Sequence, residues 1–137
     1  MNRNIKKSFK PLVCILNYGS GNITSVYNAV KFLGYSTKIS NKLDDISKSS
    51  HLILPGVGAF DSSMQKIQDK LPINLLKKEI IINKKPFLGI CVGMQVLAKF
   101  GYEFKKTKGL NYINGEVIKI KTSKLKLPHI GWNKIKV

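Results

Sequence analysis

The chain has 137 residues, of which 43% are hydrophobic and 23% are charged, so it is long and apolar enough for one packed domain. This composition excludes a disordered tail, a collagen-like chain and a coiled coil. A net charge of +17 suits a polyanionic partner, but Arg3 is the only arginine and the lysines are spread along the whole chain. A generally lysine-rich proteome would produce the same balance.

The sequence also limits location and cofactors. No apolar run approaches the roughly 20 residues of a membrane helix. The apolar stretch behind the basic residues 2–10 is too short for a signal peptide. We therefore expect a cytoplasmic protein, with residues 1–10 as a basic extension and residues 11–137 as the domain. Two cysteines and two histidines supply too few ligands for a disulfide framework or a metal site, and we expect no cofactor.

The first half of the chain is predicted to alternate strands and helices. A strand over 12–17, buried on both faces, is followed by an amphipathic helix over 22–33 that ends at Gly34. Two further strands are predicted over 35–39 and 51–54. Asp61 is the predicted N-cap of a helix that runs to about Lys70.

The second half continues this alternation and then changes character. Pro72 is predicted to open a helix whose inner side carries Ile73, Leu76, Ile80 and Ile81. A fourth buried strand is predicted over 86–90, a helix over 91–100, and extended segments over 112–122 and 125–137. The order indicates a three-layer α/β domain with a mostly parallel sheet.

The sharpest chemical signal is a cysteine between two glycines, directly after a predicted strand. Gly89, Cys91 and Gly93 match the thiol form of the nucleophile elbow, in which the nucleophile stands on a strained turn from strand to helix. Such a turn places sulfur at a helix N-terminus, where free N–H groups favour the thiolate, and makes the N–H of Val92 an oxyanion donor. Gln95, four residues later, lies on the same helix face, where it could hold a substrate amide. The alternative is a small core cysteine and an exposed helix glutamine.

Two other glycine-rich turns follow predicted strands. The turn at 55–58 could offer N–H groups to an oxyanion or be an ordinary turn. The segment 17–22 lacks the third glycine of a dinucleotide fingerprint, because Thr24 stands there, and no P-loop sequence is present. Cys14 is predicted to pack in the core and His51 to be structural. His129 is the only histidine in a distinctive motif, but spacing alone does not bring it to a cysteine.

Four motifs together carry a family resemblance: Y-G-S-G-N at 18–22, L-P-G-V-G-A-F at 54–60, L-G-I-C-V-G-M-Q at 88–95 and P-H-I-G-W-N at 128–133. They resemble the class I (triad) glutamine amidotransferases, and among them the amidotransferase subunits of imidazole glycerol phosphate synthase, from about Leu12 to Val137. The resemblance implies a flavodoxin-like three-layer sandwich with a mostly parallel central sheet, incomplete at the C-terminus.

The resemblance also implies a reaction. Cys91 would attack the glutamine side-chain amide, form a γ-glutamyl thioester and release ammonia. The oxyanion would be bound by Gly56, Val57 and Val92, and the glutamine by Gly58 and Gln95. The implied partner is a (β/α)8-barrel cyclase that forms a heterodimer with this subunit and receives the ammonia for histidine biosynthesis. The residues expected at that interface are Tyr18, Asn22, His129, Trp132 and Asn133.

Two departures from the family pattern shape the expectations. The family's catalytic His and Glu lie in a downstream H-P-E motif that this sequence does not contain, so we expect a fragment without normal glutaminase turnover and with exposed apolar sheet surface. Residues 98–103 contain Glu103 but lack the further acidic residues expected there, and they are more similar to paralogues that supply ammonia for amination of surface-polysaccharide sugars. The remaining alternative is a basic nucleic-acid-binding module, whose affinity would fall steeply with salt.

Overall fold

Four parallel strands form the main sheet of the computed structural model, which describes residues 11–122, 126–128 and 130–136. The predicted basic extension 1–10 and His129 lie outside the described residues. In chain order the elements are β1 (Leu12–Leu16), α1 (Ile23–Phe32), β2 (Ser36–Ser40), α2 (Leu43–Lys48), β3 (His51–Gly56), α3 (Phe60–Lys70), α4 (Ile73–Lys77), a π-helical turn (Lys78–Ile82), β4 (Phe87–Cys91), α5 (Val92–Gln95), β5 (Ala98–Gly101), β6 (Thr107–Lys108) and β7 (Ile113–Val117).

The strand order of the main sheet is β2-β1-β3-β4, so the chain starts near the middle and adds strands first on one side and then on the other. This order is the flavodoxin-like arrangement, in which the crevice between the first and third strands is the usual place for ligands. The carboxyl ends of β1, β3 and β4 share one edge, where Gly56 stands opposite Cys91. The predicted α/β fold is therefore confirmed.

The core lies on both faces of β1 and β3, which explains their nearly continuous apolar sequences. One face packs against α1 through a buried cluster, and the other packs against the remaining helices through a larger one. The first cluster contains Val13, Ile15 and Ile53, and the second includes Cys14, Leu16, Leu52, Leu54, Phe60 and Ile67. None of the described helices is long and apolar enough to cross a membrane.

The fourth strand was predicted to be buried, and this prediction is wrong. β4 pairs only with β3 among the described strands. Its residues Leu88 and Ile90 are 54% and 36% exposed. An apolar groove of about 490 Å³ between α1 and β4 includes Val30, Leu33 and Leu88 in its lining. Exposed apolar sheet surface, as expected from the sequence, is thus present along this strand.

The predicted helix over 91–100 is also wrong beyond Gln95. The carbonyl oxygens of Val96, Leu97 and Ala98 accept hydrogen bonds from backbone N–H groups of residues 110–113, which draw the chain into an extended path. β5 then forms a small sheet of order β6-β5-β7. The extended segment predicted over 112–122 is a strand only at Ile113–Val117, and no strand is assigned within 126–128 and 130–136.

Several helix boundaries differ from the predicted ones. Helix α2, which has six residues with Asp44 and Asp45 in its first turn, was not predicted. Helix α3 begins at Phe60 with Ala59 as its N-cap, so Asp61 lies inside the first turn rather than at the cap. Ile81 is 43% exposed because the helix after Pro72 changes to a π-helical turn at Lys78, which rotates this side chain outward. The end of α1 at Gly34 is confirmed by a hydrogen bond from the Gly34 N–H to the Lys31 carbonyl.

A buried ion pair connects the π-helical turn to α2. Lys85 Nζ lies 2.9 Å from Glu79 Oε2, and the two side chains are only 9% and 10% exposed. The same ammonium donates to the carbonyl oxygens of Ile46 at 2.8 Å and Ser47 at 2.9 Å. The hydrogen bond from Lys85 is the largest cause that lowers the pKa of Glu79. Removal of one partner would leave the other charge buried and unpaired.

We expect Lys85→Met to lower the free energy of unfolding by about 3 kcal/mol in urea denaturation at pH 7. The control, Lys48→Met, removes an exposed ion pair to Asp44 and should cost less than about 0.5 kcal/mol. Because the folded-state pKa of Glu79 is lowered, its ionisation stabilises the fold above about pH 4.3 and this contribution is lost as the pH falls further. The stability of Lys85→Met should therefore depend less on pH in that acid range; equal losses in both variants would contradict the assignment.

Candidate active site

Three loops meet at the carboxyl edge of the main sheet. The loop after β1 reaches the loop after β3, where Ser20 Oγ donates to the Val57 carbonyl at 2.9 Å. Gly21 packs so closely on the same segment that a Cβ atom there would lie 3.1 Å from the Pro55 carbonyl oxygen. The third loop starts at Cys91, directly across from Gly56 in the β3–β4 pairing. The glycine-rich motifs of the sequence are thus brought together by the strand order.

The predicted sharp turn from strand to helix is present at Cys91. Its backbone has φ 55° and ψ −119°, a conformation that residues with a side chain seldom adopt. The flanking glycines are required by close approach: a Cβ atom at Gly93 would overlap the carbonyl oxygen of Leu54, and one at Gly89 would lie 2.6 Å from the Gly93 carbonyl oxygen. The Cys91 residue itself is exposed. The turn therefore presents the thiol at the surface of the sheet edge.

The helix that follows the turn is shorter than predicted. α5 contains only four residues, so a macrodipole of the kind found at longer helices contributes little here. What remains is the local geometry of the first turn, whose N–H groups have no partner within the helix. Val92 and Gly93 of this turn are buried against β3, and Gln95 at the end of α5 is half-buried.

Gln95 opens into a cavity of about 800 Å³ between α5, the N-terminus of α3 and the small sheet. Tyr102 and Glu103, after β5, line the same cavity. One carboxylate oxygen of Glu103 accepts a hydrogen bond from the Phe60 N–H at 2.8 Å and so caps the start of α3. Glu103 was not predicted as a site residue, because a helix predicted through residue 100 gave no indication that the chain returns to the site. In a chain of charge +17, this carboxylate is a distinctive group beside Gln95.

The second cysteine has a different environment. Cys14 is fully buried in β1, as predicted. Burial, and to a smaller extent the negative charge of Asp45, raises the pKa of its thiol to about 11. Cys14 is therefore a neutral core side chain at ordinary pH.

Neither histidine is placed beside Cys91 by the described residues. His51 starts β3, and its ring Nδ1 lies 2.9 Å from Ser50 Oγ. Gly56, the neighbour of Cys91, is five residues further along the strand, which is about 16 Å at the usual rise per residue. The predicted structural role of His51 agrees with this position, and His129 lies outside the described residues.

The residues predicted to face a partner fall into two groups. Tyr18 is fully buried, so its side chain is not exposed at the surface of this chain. Asn22 is exposed and is the N-cap of α1, where its Oδ1 accepts a hydrogen bond from the Ser25 N–H at 3.3 Å. Trp132 is completely exposed, and Asn133 beside it is exposed as well. A partner interface at Tyr18, Asn22, Trp132 and Asn133 stays a prediction, and His129 lies outside the described residues.

Comparison with known proteins agrees with this geometry. The sequence model of the class-I glutamine amidotransferases matches residues 14–135, and the chain belongs to this family. It is 42% identical over 126 residues to imidazole glycerol phosphate synthase subunit HisH 2 of Methanococcus maripaludis, which covers 91% of this chain and 62% of that protein. It is 45% identical over 123 residues to imidazole glycerol phosphate synthase subunit HisH of Lactococcus lactis, which covers 90% of this chain and 60% of that protein.

Among solved structures, a crystal structure of a glutamine amidotransferase matches with a TM-score of 0.55 and 21% sequence identity. The match covers 72% of this chain and 51% of that one, and it shows a shared fold. The chain spans 62% and 60% of the length of the two curated relatives named above.

Proposed function

We propose that this chain supplies the glutaminase site of an imidazole glycerol phosphate synthase amidotransferase subunit, with Cys91 as the nucleophile. The observation that carries this proposal is the exposed Cys91 on a strained turn, directly beside Gly56 in the β3–β4 pairing. The family match supports glutamine as the substrate, and the named HisH relatives support histidine biosynthesis as the setting. The proposal includes a cytoplasmic location.

In the proposed reaction, the Cys91 thiolate attacks the carbonyl carbon of the glutamine side-chain amide, and the C=O electron pair moves onto oxygen. Collapse of this intermediate breaks the C–N bond, and the nitrogen takes up a proton and leaves as ammonia. A γ-glutamyl thioester remains on sulfur until water adds to its carbonyl and releases glutamate. The backbone N–H of Val92 and the Gly56–Val57 segment are the proposed donors to the oxyanion, because they border the sulfur.

The cavity beside α5 is the proposed glutamine site. The Gln95 side chain can both donate to and accept from the substrate's polar groups, and Gly58 presents exposed backbone in the loop after β3. We assign Glu103 to the α-ammonium group of glutamine, since an acidic group in this cavity complements that charge.

A general base is still needed for efficient turnover. The described residues bring no imidazole to Cys91, and the H-P-E motif that carries the family's His and Glu does not occur in this sequence. We therefore propose that acylation by this chain is slow and that sustained hydrolysis is lower than in amidotransferases that contain the motif.

The proposed partner is the (β/α)8-barrel cyclase subunit, which would receive the ammonia within a heterodimer. Trp132 supports this assignment, because a large aromatic side chain that is completely exposed is a typical interface anchor. Asn22 and Asn133 add exposed amide groups that can hydrogen-bond across such a surface. His129 is included only on the resemblance of its motif.

Ammonia release in the presence of the cyclase subunit tests the proposed function. We expect a slow release that depends on Cys91 and stays near one ammonia per chain in the first minutes, because the γ-glutamyl thioester left on sulfur is not rapidly hydrolysed to glutamate. The matched control is Cys91→Ala, which should release none. Rapid multiple turnover would contradict the proposed lack of a base. Equal release by the wild-type chain and Cys91→Ala would contradict the nucleophile.

A further inference from the structure

Tyr18 carries a polar group that the fold leaves without a partner. The residue follows β1 and is fully buried, yet its hydroxyl makes no hydrogen bond among the described residues. The same holds for the Ser63 hydroxyl on α3. Buried polar atoms without partners are uncommon in folded proteins, because each loses its hydration without compensation. A hydroxyl retained under this penalty calls for an explanation.

The surroundings of the Tyr18 hydroxyl explain why it is retained. A Cβ atom at Gly56 would lie 2.8 Å from Tyr18 Oη and 2.5 Å from the backbone nitrogen of Gly93. The hydroxyl therefore lies directly beneath the Gly56 backbone, at the point where the loop after β3 touches the turn that carries Cys91. Glycine at position 56 is what allows the hydroxyl and the turn to approach so closely.

Electrostatics connects the same hydroxyl with the nucleophile. Burial is the largest cause that raises the pKa of Tyr18. The hydroxyls of Ser20 and Ser63 lie near enough to lower this pKa by weak hydrogen bonding, although neither makes a hydrogen bond of ordinary geometry to the Tyr18 hydroxyl, and the charge of Cys91 raises it further. Cys91 is thus close enough for its charge to act on the hydroxyl. The Ser20 hydroxyl also donates a hydrogen bond to the Val57 carbonyl. Tyr18 and Ser20, which both lie in the loop after β1, therefore contact the segment proposed to bind the oxyanion.

We infer that Tyr18 is a positioning residue for the Gly56–Val57 segment, and that its hydroxyl gains a hydrogen-bond partner when this segment engages a bound glutamine. This inference rests on the proposed function, because it concerns the same oxyanion segment. The unpaired hydroxyl destabilises the free protein and stabilises the ligand-engaged arrangement. Its removal therefore affects reaction with a glutamine-like reagent without a loss of fold stability.

The test compares Tyr18→Phe with Tyr112→Phe. Tyr112 is a matched control, because its hydroxyl is also buried and unpaired, and burial alone raises its pKa to about 12. Cys91 is modified with a chloroketone analogue of glutamine, which must occupy the glutamine site, and separately with iodoacetamide, which needs only the thiol. For Tyr18→Phe we expect an unchanged or higher Tm, about tenfold slower modification by the chloroketone, and an unchanged rate with iodoacetamide. Tyr112→Phe should leave both rates unchanged.

Two results would overturn the inference while leaving the proposed function intact: a chloroketone rate in Tyr18→Phe equal to that of the wild type, or equal slowing with both reagents. If L-glutamine fails to protect wild-type Cys91 from the chloroketone, the proposed function itself is contradicted, and the inference falls with it. Should Tyr18→Phe not fold, Ser63→Ala removes the neighbouring hydroxyl instead. It should slow the chloroketone alone, by about threefold, and an unchanged rate would overturn the inference.

Discussion

Iodoacetamide is expected to modify Cys91 at least about a hundred times faster than Cys14 in the native protein at pH 8. Cys91 is exposed on its turn, whereas Cys14 is fully enclosed in β1. With the pKa of Cys14 raised to about 11, only about one in a thousand of these thiols is ionised at pH 8, even before access is considered. The site of modification is measured by peptide mapping at several times of reaction.

The single-cysteine variants provide the controls for this experiment. Cys14→Ala should keep the rapid phase of modification, and Cys91→Ala should lose it. In urea, both cysteines should react at similar rates, because burial no longer separates them. Comparable rates for the two cysteines in the folded protein would contradict the exposure of Cys91 and the burial of Cys14.

Gly93→Ala is expected to lower the free energy of unfolding by more than about 3 kcal/mol or to prevent folding. The added Cβ atom would overlap the carbonyl oxygen of Leu54, and neither backbone can give way without separating α5 from β3. Urea denaturation followed by circular dichroism measures the change.

Gly115→Ala is the matched control for this substitution. Gly115 lies in β7, and a Cβ atom there would have no atom within 4 Å. Its replacement should change stability by less than about 0.5 kcal/mol. A Gly93→Ala variant as stable as Gly115→Ala would show that the turn at Cys91 has more room than the structure describes, and would remove the packing argument for the glycines.

The turn at Cys91 was predictable because its cause is local. Gly89 and Gly93 flank the cysteine in the sequence, and only glycine permits the backbone to approach itself and Leu54 so closely. The mostly parallel sheet was also predictable, because apolar strands that alternate with amphipathic helices are typical of a parallel sheet covered by helices. These two features together place Cys91 beside Gly56.

The features that were missed depend on contacts between distant parts of the chain. Residues 98–100 have a sequence that is compatible with a helix. The backbone N–H groups of residues 110–113 instead donate hydrogen bonds to the carbonyls of residues 96–98, and the chain continues as strand β5. Because the chain is extended here and not helical, Glu103 lies where its carboxylate accepts a hydrogen bond from the Phe60 N–H. The exposure of Leu88 likewise depends on which elements cover β4, and an apolar strand sequence contains no information about its neighbours. Tyr18 was assigned to a surface from its motif, whereas packing against Gly56 buries it.

The central claim is that Cys91 reacts with glutamine bound in the cavity beside Gln95, and active-site labelling tests it most directly. The protein is treated with the chloroketone analogue of glutamine, with and without an excess of L-glutamine or D-glutamine, and the modified residue is identified by mass spectrometry. We predict modification of Cys91 alone, slowed by L-glutamine and unaffected by D-glutamine. Modification that neither enantiomer slows, or that reaches Cys14 as readily as Cys91, would contradict the claim.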